Sequence, residues 1–245
     1  LHGGKCILFP GKVPSPRELG EVLKKHRVDT LWLTAALFNT VINEEPQALS
    51  EVKQLLIGGE ALSVPHVRKG LGLLPNTEII NGYGPTESTT FTCCYRIPRQ
   101  LGDDLTSIPI GKPIANTQLY ILDPHLNPVP VGVPGELHIG GDGLGRGYLN
   151  RPEFTKEKFI ANPFGEGRLY LTGDLARFLN DGSIEFLGRV DDQVVPGHLP
   201  LLRLHGEQAT DGPRLPADGD ADPRQSTGKE CFVSAGIRGN GERDD

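Results

Sequence analysis

Apolar and polar positions follow two different rhythms along this chain. In the first 80 residues short apolar runs alternate with helix-spaced segments. Cys6 to Phe9 reads as a strand. Ser15 stands at a helix N-cap, Pro16 suits the first turn, and Leu19, Val22 and Leu23 recur at helical spacing. Thr30 to Leu33 is a strand, Ala35 to Asn43 a helix closed by Pro46, and Gln54 to Ile57 a strand ending at Gly58-Gly59. Ser63 is placed to cap a helix with Val64, Val67 and Leu71 on one face, and Thr77 to Ile80 is a strand. Strands separated by helices of this length predict a parallel sheet with right-handed crossovers. Beyond residue 88 the rhythm changes. Thr89–Tyr95, Gln118–Leu122, Glu136–Ile139, Arg168–Thr172, Ala176–Leu179 and Ser183–Leu187 read as short strands, and only Pro152 to Phe159 looks helical. The expected fold class is therefore α/β: a parallel sheet with flanking helices, followed by an antiparallel β subdomain. The expected division is 1–95, 96–194 and a tail, 195–245.

The tail differs in composition. Of its 51 residues, 13 are Gly or Pro and only 14 are apolar, too few to offset chain entropy, so disorder is expected there. A short, isolated strand at Cys231-Phe232-Val233 is the exception. The whole chain has 245 residues and a net charge of −6, which argues against a nucleic-acid partner. No apolar run approaches the roughly 20 residues of a membrane helix, and no signal peptide opens the chain. Four cysteines without a C-x-x-C pair suggest a reducing, cytoplasmic compartment. Methionine is absent and the chain opens on Leu1, so a fragment of a longer product is expected.

Three segments offer chemistry. Asn81-Gly82-Tyr83-Gly84-Pro85-Thr86-Glu87 follows a strand, and ligands of open α/β sheets bind at the carboxyl ends of strands. Its glycines allow close backbone approach, Tyr83 can cover a flat base, Thr86 can reach a phosphate and Glu87 can hold Mg²⁺. From residue types alone, a connecting turn accounts for the segment equally well. Gly140 to Gly147 fits neither the dinucleotide nor the phosphate-loop spacing and reads as a turn or backbone-packing segment. Tyr170 to Leu175 sets Asp174 just after a strand, where it can accept two hydrogen bonds from a ribose diol or close a hairpin turn. The seven histidines form no zinc motif, and no G-x-S-x-G elbow is present.

Taken in order, Leu56 to Leu62, Asn81 to Glu87, Gly135 to Leu149, Tyr170 to Leu175 and Gly188 to Val194 resemble the amino-acid adenylation domain of non-ribosomal peptide synthetases, within the adenylate-forming AMP-dependent synthetase and ligase superfamily. The match covers residues 1 to about 194, part of that family's large domain. The resemblance implies that Asn81 and Tyr83 contact adenine, Thr86 the phosphates, Glu87 Mg²⁺ and Asp174 the ribose, with Arg189 nearby. Asp191 would be the hinge of a small C-terminal domain. It implies ATP or AMP as nucleotide, and a carrier protein whose phosphopantetheine thiol takes the aminoacyl group. By position, Trp32, Leu56, Gly58, Gly82, Thr90 and Phe91 would line the substrate pocket. None is charged, which suits a small aliphatic amino acid such as Val and argues against Lys, Orn, Asp and Glu. The family's phosphate loop, the Asp that holds the substrate's amino group and its catalytic Lys have no counterpart among these residues. After Val194 the pattern breaks off, as a frameshift or gene-model error would make it. The expected function is thus a fragment of an adenylation domain, inactive by itself. The alternatives are a non-catalytic remnant with partial nucleotide contacts and an acyl- or aryl-CoA ligase.

Overall fold

The computed structural model describes residues 4–9 and 13–190, together with the backbone of Cys231–Val233. The first sheet contains β2 (Thr30–Thr34), β3 (Gln54–Gly58) and β4 (Glu78–Tyr83), mutually parallel, then β5 (Cys93–Arg96) and β6 (Lys112–Pro113), both antiparallel. The first strand, β1 (Cys6–Leu8), does not join it. Instead β1 pairs antiparallel with β12 (Cys231–Val233), so that strand is not isolated. The rest of the tail expected to be disordered, and Asp191, lie outside the described residues.

Local chemistry explains the helices. Helix α1 (Pro16–His26) begins in a capping box: Ser15 Oγ accepts from Glu18 N, and Glu18 reaches back to Ser15 N at 2.9 Å. Helix α2 (Ala35–Glu44) is capped by Thr34 Oγ1, which accepts from Leu37 N at 3.3 Å. Helix α3 (Val64–Leu73) departs from expectation. Ser63 occupies its N-cap position, but its hydroxyl contacts the His66 ring at 2.7 Å and caps nothing.

Strand periodicity then sorts the sheet's two faces. Leu31, Leu33, Leu55, Ile57 and Ile79 are buried in one core with Leu19, Leu23, Phe38, Ile42 and Val67 of the helices. The alternate residues Trp32, Leu56, Gly58 and Gly82 face the other way.

A second sheet runs β11 (Ile184–Arg189), β10 (Arg168–Phe178), β8 (Gly135–Gly141), β7 (Thr117–Leu122), with β9 (Phe159–Ala161) also on β10; the pairings are antiparallel. The expected strands 168–172 and 176–179 are one 11-residue strand. A bulge within it looked like a break, because Gly173 has a positive φ of 71°. The first sheet also extends past residue 95, through β6, before the second begins at Thr117. Cys93 of β5 is buried with Ile121, Leu137, Ala176 and Ile184, and Tyr83 packs on that cluster, which fastens the end of β4 to the second sheet.

Candidate functional site

The carboxyl ends of the parallel strands frame an open cleft of about 340 Å³. Of the six expected pocket residues, Trp32, Gly82, Thr90 and Phe91 line it. Leu56 is buried, and Gly58 sits beside it in the sheet. A Cβ at Gly58 would lie 2.2 Å from Gly82 O and 3.7 Å from Trp32 Nε1. At Gly82 a Cβ would meet the Phe91 ring at 2.5 Å. Gly59, Gly84, Thr86 and Thr89 complete the lining, and of these Gly84 and Thr86 were anticipated. Trp32 Nε1 is buried with no hydrogen-bond partner among the described residues.

The expected strand from Thr89 starts only at Cys93, and the cleft explains why. Thr86–Ser88 forms a 3₁₀ turn, and Thr89 and Thr90 both adopt left-handed backbone, with φ of 54° and 65°. That is uncommon for β-branched residues and needs support from surrounding structure. Thr89 Oγ1 donates to Gly143 O at 2.7 Å, and Gly145 N donates to Glu87 O at 2.7 Å. The glycine-rich 140–147 segment thus packs its backbone against the turn, as its spacing suggested. Arg168 secures it from behind through the carbonyls of Gly145 and Arg146.

Two polar clusters flank the cleft. In the first, Tyr83 Oη donates to Asp174 Oδ2, while Arg189 pairs with Asp174 Oδ1 at 3.0 Å. Asp174 is 8% exposed, so a compensating cation is required. In the second, Tyr148 Oη donates to Glu87 Oε1 at 2.5 Å. Tyr148 is itself held by Thr155, whose hydroxyl accepts from its backbone N–H at 2.8 Å, and by stacking on Phe154. Neither Tyr148 nor Tyr170 was given a role by the sequence, because each finds its partner only on folding: Tyr148 bonds Glu87, 61 residues away, and Tyr170 meets Tyr148. Asn81 is brought to the same strand end, but it is 4% exposed and its amide donates to Pro109 O at 2.8 Å.

Burial pushes the Tyr83 phenol well above its ordinary value of 10, and the Asp174 charge adds to this. Tyr148 and Tyr170 also rise, both through burial first, then Tyr148 through its hydrogen bond to Glu87 and Tyr170 through its contacts with Tyr148 and Glu87. A phenol that keeps its proton longer when folded stabilises the fold fully below the unfolded value of about 10. That stability is lost as pH rises further. Urea midpoints should therefore fall between about pH 9 and pH 11, and less steeply in Tyr83→Phe. Equal slopes for the two proteins would rule out this role for Tyr83.

Among the described residues, no three His, Cys, Asp or Glu side chains gather as a metal cluster, and no helix is long and apolar enough to cross a membrane. A lone carboxylate at the rim does suit Mg²⁺, which is commonly held by one or two carboxylates while phosphates and water fill the remaining positions. Glu87 meets that requirement.

The family model described as "AMP-binding enzyme" matches residues 1–149. This chain belongs to that family. A linear gramicidin synthase of Brevibacillus parabrevis is 56% identical over 197 residues, covering 79% of this chain and 2% of that protein. Tyrocidine synthase 3 of the same organism is 50% identical over 196 residues, 79% of this chain and 3% of its own length. Bacitracin synthase 1 of Bacillus licheniformis is 48% identical over 196 residues, 79% and 4%. The chain therefore spans only a few per cent of these relatives. Among solved structures, PA1221, an NRPS protein containing adenylation and PCP domains, aligns with a TM-score of 0.69 at 41% identity, over 74% of this chain and 37% of that one. FmoA3 in its α-methyl-L-serine-AMP bound form aligns with a TM-score of 0.70 at 32% identity, over 76% and 22%. This chain is accordingly part of a non-ribosomal peptide synthetase adenylation domain, and the family is one of adenylate-forming ligases.

Proposed function

We propose that this chain supplies the adenosine-binding and side-chain-selecting walls of an amino-acid-activating site. In that reaction an amino-acid carboxylate oxygen attacks the α-phosphorus of ATP and pyrophosphate leaves. The observation that carries the reading is the joining of Tyr83, Asp174 and Arg189 at the end of β4, beside the Trp32 cleft. A carboxylate offers about four lone-pair sites. The Asp174 oxygens accept from the ribose hydroxyls, while the Tyr83 ring lies against the adenine and Asn81 lines its edge. Arg189 pairs with Asp174 at 3.0 Å, and hydrogen bonds to a paired carboxylate are charge-assisted. Thr86 contacts the phosphates. Mg²⁺ held at Glu87 would neutralise charge on the phosphates as a Lewis acid. Tyr148 fixes the orientation of that carboxylate.

The same reading gives the substrate class. Trp32 and Phe91 fill volume, Gly82 returns some, and no charged side chain lines the cleft. A substrate ammonium or carboxylate would be buried without a partner, at a cost of several kcal/mol. A small aliphatic amino acid, Val before others, fits. Its activated form passes to the phosphopantetheine thiol of a peptidyl carrier domain, in the cytoplasm. PA1221 contains such an adenylation–PCP pair. Without the groups that hold the triphosphate and the substrate's amino group, these 245 residues bind but do not catalyse.

Trp32 is the chain's single tryptophan and lines the cleft, so it reports occupancy. Titration with a non-hydrolysable valyl-sulfamoyl adenosine should change its emission saturably. The ornithyl analogue should bind at least about tenfold more weakly. Equal responses to the two would refute the aliphatic assignment, and no response to either would refute the site.

A further inference from the structure

The bulge that presents Asp174 is built by side chains outside the site itself. Along β10 and β8, Leu171 pairs with His138 and Leu175 with Glu136. Three residues, Thr172, Gly173 and Asp174, therefore face Leu137 alone. Such a bulge leaves backbone groups without ladder partners and re-aims the side chain it carries. Here four of those groups have dedicated partners. Thr172 Oγ1 donates to Leu137 O at 2.6 Å and accepts from Asp174 N at 2.9 Å. Gly173 O accepts from Val190 N at 2.7 Å. Gly173 N, in left-handed backbone at φ 71°, donates to Glu136 Oε1 at 3.0 Å.

We propose that Glu136 is a positioning residue for the nucleotide ribose. Its carboxylate reaches from β8 to the Gly173 N–H and holds the bulge that aims Asp174. This rests on the assignment of Asp174 to the ribose hydroxyls. Two features make Glu136 more than a strand residue that happens to be nearby. Its partner is a backbone N–H that the bulge deprives of a ladder acceptor, so nothing else in β8 can replace it. The carboxylate also grips the residue immediately before Asp174, where a small turn of the peptide swings the Asp174 side chain most. Losing the Glu136 bond frees the Gly173 peptide to turn, and the Asp174 carboxylate moves with it. Phosphate and amino-acid contacts come from other elements, and Tyr83, though bonded to Asp174, is also held by its packing on the Cys93 cluster. The effect therefore falls mainly on recognition of the ribose diol.

The test compares AMP with 2′,3′-dideoxy-AMP on the full 245-residue chain by calorimetric titration. The unmutated protein should prefer AMP by about tenfold. Glu136→Leu should bring that preference to near unity by weakening AMP while leaving dideoxy-AMP unchanged. Glu136→Gln, whose amide oxygen can still accept from Gly173 N, should keep it. Asp174→Asn serves as the reference and should also lower it. A general folding defect would weaken both nucleotides together and leave the ratio intact. If Asp174→Asn lowers the ratio and Glu136→Leu does not, the positioning role is wrong and the ribose assignment stands. If the unmutated chain shows no preference, or Asp174→Asn retains it, the ribose assignment fails and the role of Glu136 falls with it.

Discussion

Replacing Phe38 with alanine will lower the unfolding free energy by about 3–5 kcal/mol. Phe38 is fully buried beneath the parallel sheet. Its ring tip meets Ile42 and Ile79 at Gly70, where a Cβ would come within 3.0 Å of Phe38 Cζ and within 3.5 Å of both isoleucines. Three elements converge there: α2, α3 and β4. Each is fixed elsewhere, α2 by its Thr34 cap and β4 by pairing on both edges, so the space left by a lost ring cannot close. Incomplete collapse is what places such a substitution at the costly end of its range. Urea denaturation measures it, with Val131→Ala as a comparison. Val131 is 59% exposed, and its truncation should stay within about 0.5 kcal/mol. Similar losses for the two variants would mean that the helical face of the sheet is not the core.

The elements read most directly from the sequence were those that local chemistry specifies. Ser15 and Pro16 mark the start of α1, and the structure has Ser15 as its cap, with Glu18 completing a capping box that the sequence reading did not name. The apolar run Thr30 to Leu33 gives β2, though not which of its residues face the helices. Where a distant partner decides, the sequence was silent or misleading. Ser63 looks like a cap, yet its hydroxyl goes to His66. Cys6 to Leu8 reads as a strand of the parallel sheet, yet it pairs with residues more than 220 positions away. Thr89 and Thr90 have strong β propensity, but contact with Gly143 holds them in left-handed backbone.

The site divides along the same line. Tyr83, Glu87, Asp174 and Arg189 lie in segments whose order was recognisable, and they meet at the cleft edge or beside it. Their supporting groups were not legible. Tyr148 reaches Glu87 across 61 residues and Glu136 reaches Gly173 across 37; both lie in the recognisable Gly135 to Leu149 segment, but nothing in it names their partners. Folding alone brings them together. Gly59 and Thr89 line the cleft for a comparable reason, through strand register and the turn that follows β4.

The largest functional effect is expected at Asp174 and Glu87, and it also tests the central claim most directly. Residues 4–190 would replace the matching stretch of the PA1221 adenylation domain, which supplies the groups this chain lacks. Valine-dependent exchange of pyrophosphate into ATP would then be measured. The hybrid should exchange with Val in preference to Phe or Orn, and the 245-residue chain alone should not exchange. Asp174→Ala removes the acceptor for the ribose and leaves Arg189 without that carboxylate. Glu87→Ala removes the carboxylate assigned to Mg²⁺. Each withdraws preorganised charge from the reacting complex, and each should slow exchange by about 100- to 1,000-fold. Exchange in either variant at the rate of the unmutated hybrid would contradict the account.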